Sequence, residues 1–210
     1  VPPDPRQAAA ASASVRKAQR AERARVAEVL AEGFYADPVA TWFYPDDDRR
    51  REQLRNVFAL VGERVWFDHD LTYTTDGVVG AAMWVPPGEW KLGLLDQLRL
   101  LPGMAAAVGW RALPRTLRGL NLMESKHPTD QHYYLPYVAL APAWQGKGIG
   151  TALLRPVLRR CDEEGLPAYL EATSPRNRTC YERCGFRVTA EISFPKGPPM
   201  WTMRREPHGG

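Results

Sequence analysis

A chain of 210 residues with 44% hydrophobic and 25% charged side chains has the length for one domain with a full core and an ordinary globular composition. A formal net charge of +4 is too mild to point to nucleic acid, and it suits a pocket for a polyphosphate ligand at least as well. The longest apolar stretch, Leu92 to Trp110, is interrupted by Asp96, Arg99 and Pro102, so no membrane span is expected.

Residues 1–13 are mostly Pro and Ala with little to bury, which predicts a disordered leader ahead of a domain over 14–205, with 206–210 as a tail. Residues 15–17 read as a short strand. Ala24, Ala27, Leu30, Ala31 and Phe34 recur at helical spacing, placing a helix over 21–34. Asp37-Pro38 and Tyr44-Pro45 break the chain before a second helix over 48–64. Residues 72–75 and 78–85 form a predicted hairpin around Asp76-Gly77, a strong turn dipeptide. Residues 89–122 are helical in composition, with breaks expected at Pro102-Gly103 and Pro114.

Residues 133–140 read as a strand, irregular or bulged at Pro136. A helix over 148–164 is stopped by Gly165 and kinked by Pro156. A strand over 168–173, a short helix over 175–184 and strands over 187–194 and 200–204 complete the chain. Strands and helices mixed in this order imply an α/β (α+β) domain, a central sheet flanked by helices. The cysteines, Cys161, Cys180 and Cys184, are odd in number and follow no secretory signal, which predicts free thiols in a reducing cytoplasm. Cys180 and Cys184 share a helix face, but no nearby His or further Cys completes a metal site, so they read as packing thiols and no metal is expected.

The segment WQGKGIGT, 144–151, lies between a predicted strand and a helix. Gly146, Gly148 and Gly150 carry no Cβ, so backbone N–H groups there approach a ligand closely, and the helix N-terminus behind them favours phosphate. Gln145 and Thr151 add an amide and a hydroxyl. A P-loop would need Gly and Ser or Thr where Ala141 and Gly148 stand, and that reading fails. A dinucleotide fingerprint would need Gly where Thr151 stands, although Glu171 lies at the distance of a ribose-binding acid. A coenzyme A turn, Gln-x-x-Gly-x-Gly, is met by Gln145, Gly148 and Gly150. By itself the turn also fits a glycine-rich loop that binds nothing.

Ser174-Pro175 is a good helix start and Gly185-Phe186 a good stop. Between them Asn177 and Tyr181, four apart, point the same way. Taken with YVALAPAWQGKGIGTALL (137–154), AYLEATSP (168–175) and NRTCYERCGF (177–186), the chain resembles the GNAT acetyltransferase superfamily. The block is similar to the branch containing puromycin N-acetyltransferase, in its Leu-Glu-x-x-Ser-x-x-Asn and Tyr-Glu-Arg-x-Gly-Phe runs. FYADPVATWFYPD (34–46) resembles it more loosely.

The resemblance implies a mixed, mostly antiparallel twisted sheet splayed between the strands near 133–140 and 168–173. It implies an acceptor-side half over 14–131 and an acetyl-CoA half over 132–205. Backbone groups of Val138, Ala139 and Leu140 would hold the pantetheine arm. Gln145, Gly146, Lys147, Gly148, Ile149, Gly150 and Thr151 would cradle the pyrophosphate. Asn177 would steady the pantetheine and Tyr181 would sit near the thioester sulfur. Pro136 departs from the pattern and puts the contacts of 138–140 in question.

Transfer of acetyl to an amine needs an unprotonated nitrogen, a donor to the developing oxyanion and a proton for the departing thiolate. The Leu140 N–H is the candidate oxyanion donor and Tyr181 the candidate acid. Glu171 is the first candidate base, His132 the second and Asp37 the third. Phe34, Tyr35 and Trp42, with Phe43 and Tyr44, gather around Asp37 in a region that in this type of protein lines the acceptor cleft, or else they are core. The stretch 89–122, with Trp90 and Trp110, is core, a lid or a homodimer contact. The expected partner is a small-molecule primary amine, an antibiotic among the candidates. The alternatives are a protein or peptide terminus or lysine, and a non-catalytic coenzyme A sensor.

Overall fold

The computed structural model describes residues 3–63 and 67–209. Among these residues seven strands form one sheet: β1 (Arg16–Lys17), β2 (Thr72–Thr74), β3 (Gly80–Val85), β4 (Tyr133–Leu140), β5 (Ala168–Ala172), β6 (Arg187–Ser193) and β7 (Pro199–Arg205). Their order is β1-β2-β3-β4-β5-β7-β6. Every neighbouring pair is antiparallel except β4 and β5, which run parallel with Tyr133 opposite Ala168 and Leu135 opposite Leu170. This is the mixed, mostly antiparallel sheet expected.

Among the described residues eight α-helices flank it: α1 (Pro5–Ala13), α2 (Arg23–Phe34), α3 (Pro38–Phe43), α4 (Asp47–Val61), α5 (Leu94–Val108), α6 (Leu113–Glu124), α7 (Ile149–Glu164) and α8 (Pro175–Glu182). The alternation of β3 and β4 sorts side chains into two cores. Ala81, Met83 and Val85 face α2 and α4, where Leu30, Val57 and Phe58 are buried. Ala82, Trp84 and Leu135 face α7, where Leu153, Val157 and Cys161 are buried. α7 runs through Pro156 between two left-handed glycines, Gly148 and Gly165.

Three expectations need correction. The leader is no coil: Pro5–Ala13 is helical, started by a capping box in which Asp4 and Gln7 exchange side-chain and backbone hydrogen bonds. Ala8 and Ala11 are buried, so what looked like a lack of apolar bulk is what lets two helices approach closely. Pro102 does not break α5. Leu98, whose carbonyl the proline ring would free, is on the solvent side, while Ala105 and Val108 anchor the second half in the core. Cys180 is exposed and is not a core packing thiol.

Most other bounds hold within a few residues. The helix expected over 48–64 starts at Asp47, and its last expected residue, Arg64, lies outside the described residues. Pro114 starts α6. Leu94, Leu95 and Leu98 on α5, and Trp110 after it, are exposed and so are not core. Among the described residues no helix is long and apolar enough to cross a membrane.

Candidate active site

The site is opened by Pro136. Met83 pairs with Tyr137 and Val85 with Tyr134, so β4 spends one residue more than β3 over this stretch. Such a bulge bends its strand and resets which face each side chain takes. Tyr134 and Tyr137, three apart, therefore both pack on the α2 side, while Val138 and Leu140 pack on the α7 side. Pairing with β5 ends at Leu135, and β4 continues to Leu140 on β3 alone. The two parallel strands thus separate in the middle of the sheet. Ala141 N–H donates to Val79 O at 2.9 Å, so by strand alternation the N–H groups of Leu140 and Val138 point the other way, into the gap.

The glycine turn sits at the end of that gap. Gln145 Nε2 donates to Leu140 O at 3.2 Å, tying the turn to the strand. Gly146 and Gly148 take φ of 75° and 80°, a left-handed region that favours glycine. Gly148 caps α7 with no side chain on the first N–H groups, and the first turn carries no acid. Ile149 is fully buried and anchors the start of α7 in the core beneath the turn. The Arg176 guanidinium lies 3.6 Å from where a Cβ on Gly146 would stand, whereas a Cβ on Gly148 would meet nothing within 4 Å. Unpaired N–H groups, open space and a nearby guanidinium fit a diphosphate. Lys147 is half-buried in the same turn, and Thr151 Oγ1 lies 4.0 Å from Cys184 Sγ.

Glu171, on β5, faces the α2 side among tyrosines. Its Oε2 accepts from Tyr134 OH at 2.9 Å, and its side chain is only 3% exposed. The residue as a whole is half-buried, so its exposed surface is backbone beside the gap. Burial first, and the charge of Glu171 second, push the Tyr134, Tyr137 and Tyr169 phenols up. Two histidines lie behind the carboxylate: His127 Nδ1 is 3.7 Å from Glu171 Oε1, and His127 Nε2 is 3.0 Å from His132 Nε2. His132 is thus one ring removed from Glu171. Sequence reasoning passed over His127, and the available signal was two of only four histidines standing five apart just before β4.

On α8, Ser174 caps the helix by accepting from Asn177 N–H at 3.2 Å. Asn177 Nδ2 donates to Thr173 Oγ1 at 3.2 Å, and Thr173 donates in turn to Asp37 Oδ2. Asp37 Oδ1 meanwhile caps α3 by accepting from Val39 and Ala40 N–H, so the third candidate base is committed to structure. Burial, with neighbouring charge from Cys180 and Asp37, pushes the Tyr181 phenol well above its ordinary range. A phenol so placed holds its proton firmly.

The three aromatics expected to line the acceptor cleft part company. Phe34 touches Phe58 and Tyr137 at 5.4 and 5.8 Å between centroids, against the α2 side of the bulge. Tyr35 lies under the guanidinium groups of Arg50 and Arg51 and donates to Asp47 O at 3.4 Å. Trp42 is 7% exposed, stacks near Phe43 and Phe194, and donates from Nε1 to Pro195 O at 3.1 Å. Phe43 and Tyr44 are buried with it. Of the three, Phe34 alone reaches the tyrosines around Glu171.

A family description, acetyltransferase (GNAT) family, matches residues 30–186, three quarters of the chain. The chain belongs to this family. The match spans the gap, the glycine turn, Glu171 and α8 in one run. An uncharacterized N-acetyltransferase of Schizosaccharomyces pombe is 27% identical over 197 residues, covering 87% of this chain and 79% of that one. A crystal structure of histone acetyltransferase HPA2 and related acetyltransferase from Corynebacterium glutamicum shares 26% identity and a TM-score of 0.69 over 94% of this chain and 97% of that one. Arylalkylamine N-acetyltransferase 2 from Aedes aegypti shares the fold, with a TM-score of 0.62 at 13% identity over 92% of this chain and 98% of that one. The protein is a GNAT N-acetyltransferase, an acyltransferase of a family that uses acetyl-CoA as co-substrate.

Proposed function

We propose that this GNAT acetyltransferase transfers acetyl from acetyl-CoA to the primary amine of a small, flat or apolar molecule. The observation that carries the reading is the gap between β4 and β5, which has the glycine turn at one end and Glu171 beside it. Acetyl-CoA supplies the acetyl group as a thioester. The residues of this chain have the remaining tasks.

The turn 145–151 holds the diphosphate through its unpaired N–H groups, with the Gln145 N–H kept on Pro142 O, and the backbone of Val138, Ala139 and Leu140 holds the arm. The Leu140 N–H, free of β3, donates to the thioester oxygen. Asn177 steadies the arm from α8. Tyr181 donates a hydrogen bond toward the sulfur. Its raised pKa keeps it protonated but widens the gap to a thiol near 8.5, so it assists by hydrogen bonding more than by full proton transfer. Glu171 draws the cationic amine into the cleft and takes its proton.

Phe34, Tyr134 and Tyr137 form the wall against which the amine packs, and Tyr35 and Trp42 act behind it as supports. An enclosed carboxylate suits a small amine better than a chain terminus, which would want an open groove. The puromycin-type branch, with an antibiotic as acceptor, rests on Leu170-Glu171, Ser174, Asn177 and the Tyr181–Phe186 run. Self-association has the exposed strip of Leu94, Leu95, Leu98 and Trp110 available to it. The setting proposed is the cytoplasm.

The test is a titration with acetyl-CoA followed by a thiol-release assay over a panel of arylalkylamines, aminonucleosides and lysine peptides. Tyr181→Phe is expected to lower turnover about tenfold with acetyl-CoA affinity within twofold. A protein that binds no acetyl-CoA overturns the reading. One that binds it and acetylates only peptides shifts the acceptor to protein amines.

A further inference from the structure

The histidines behind Glu171 leave one proton unassigned. His132 Nδ1 lies 2.7 Å from the carbonyl oxygen of Asp130. A carbonyl only accepts, so that nitrogen carries hydrogen. Burial holds His132 below the ordinary imidazole range, so it is neutral and its Nε2 is a lone pair. His127 Nε2, 3.0 Å away, must then be the donor. A neutral His127 would turn its remaining lone pair, on Nδ1, toward Glu171 Oε1 at 3.7 Å. That oxygen is buried with no hydrogen bond of good geometry, whereas Oε2 accepts from Tyr134; the buried Tyr169 hydroxyl is the other donor beside the carboxylate. Lone pair facing lone pair, with both side chains 3% exposed, is unfavourable, and one proton between them relieves it.

We propose that His127 and Glu171 share a single proton, with His132 as the positioning residue that sets the tautomer of His127, and that this pair receives the proton of the incoming ammonium. The proposal rests on the reading of Glu171 as the base. In the proton-free pair, the N–H bond of the ammonium breaks and a new bond forms at Glu171 Oε1 or His127 Nδ1. The amine keeps the electron pair for attack, and the positive charge passes from the amine to the pair. The pair releases the proton to solvent before the next turnover.

The surroundings favour a cation at His127. Trp90 stacks on its ring at 3.8 Å between centroids, presenting a π-face. Tyr134 and Tyr169 stand edge-on at 4.6 and 4.5 Å. The opposing charges lie further out. Lys91 is over the Trp90 ring at 5.8 Å, and Arg204 is held by the Asp130 carboxylate beyond His132. On the Glu171 side the titratable neighbours are Tyr134, Tyr137 and Tyr169, all held neutral by raised pKa values.

The first measurement is ¹⁵N NMR of the imidazoles in the ligand-free protein between about pH 5 and 9. The expected result is His132 fixed with hydrogen on Nδ1 and His127 with hydrogen on Nε2 and a second proton at Nδ1 shared with Glu171. Glu171→Gln, which keeps the Tyr134 hydrogen bond, is expected to lower the His127 titration by at least half a pH unit. An identical His127 titration in both proteins overturns the proposal.

The second measurement is the pH profile of kcat/KM. His127→Gln leaves the proton to Glu171 alone, and the acid limb is expected to move down by about 1–2 units toward the carboxylate range, with a plateau about tenfold lower. An unmoved limb likewise overturns the pair. If Glu171→Gln leaves turnover intact while the NMR shift is present, the pair stands and Glu171 is not the base.

Discussion

Asp37 and Thr173, 136 positions apart, meet in a hydrogen bond that joins the start of α3 to the end of β5. One carboxylate oxygen of Asp37 caps α3, and the other accepts from the threonine hydroxyl, which itself accepts from Asn177. α3 and the α8 asparagine are therefore tied to the same two side chains. Burial pushes the Asp37 carboxyl up, and its hydrogen bonds oppose that shift.

Thr173→Val keeps the shape and removes both hydrogen bonds. A buried hydrogen bond lost is worth about 1 kcal/mol, so acetyl-CoA is expected to bind roughly fivefold more weakly as Asn177 loses its orientation. Calorimetric titration measures this directly. Unchanged affinity would mean that Asn177 is held by other contacts.

Gly148→Ala separates ligand from protein. The new methyl meets no protein atom within 4 Å, so its only internal cost is the left-handed backbone, about 1 kcal/mol. In the proposed function the turn also admits phosphate oxygens against its N–H groups. A loss of acetyl-CoA affinity of tenfold or more, against a melting temperature lowered by only a few degrees, is the expected pattern. Equal losses in both would place the glycine in folding alone.

Much of this arrangement could be read before the fold was known, for local reasons. Ser174-Pro175 and Gly185 bracket α8, Gly148 and Gly165 bracket α7, and Asp76-Gly77 turns the hairpin, because caps and turns are decided by a few consecutive residues. Pro136 marked the bulge because a missing N–H is tolerated there. What was illegible depended on partners far along the chain. The alanines of α1 are silent until α7 covers them. Trp42 in a stretch of aromatics gives no sign that Pro195 will take its indole N–H, and His127 no sign that it will face Glu171, 44 positions on. Side chains show their type locally and their contacts only after folding.

Gly33 tests how closely α2 must approach β4. A Cβ there would lie 2.6 Å from Ala139 Cβ and 2.8 Å from Leu140 O, and the strand backbone has no slack to give. Gly33→Ala is expected to destabilise by about 1–3 kcal/mol, as overpacking does. Because Leu140 O also receives Gln145, the shift should reach the glycine turn and weaken acetyl-CoA binding as well. Thermal unfolding and a binding titration on the same sample check both parts. Destabilisation with intact binding would show that helix and turn move independently.

Arg16 grips Glu22 through two hydrogen bonds, at 2.7 and 2.9 Å, and reaches Asp76 at 2.9 Å, tying β1 to the start of α2 and to the hairpin tip. The guanidinium bonds hold the Glu22 carboxyl down at about 2. Since the unfolded value is about 4.3, the pair stabilises the fold above that pH, and its contribution fades as pH falls toward 2. The side chains are 35% and 21% exposed, so screening reduces the effect to roughly 1 kcal/mol. Urea unfolding should find Glu22→Gln less stable than the parent by about that amount at neutral pH, with the two converging near pH 2. A gap that persists undiminished in acid would assign the loss to packing at Glu22 and not to its charge.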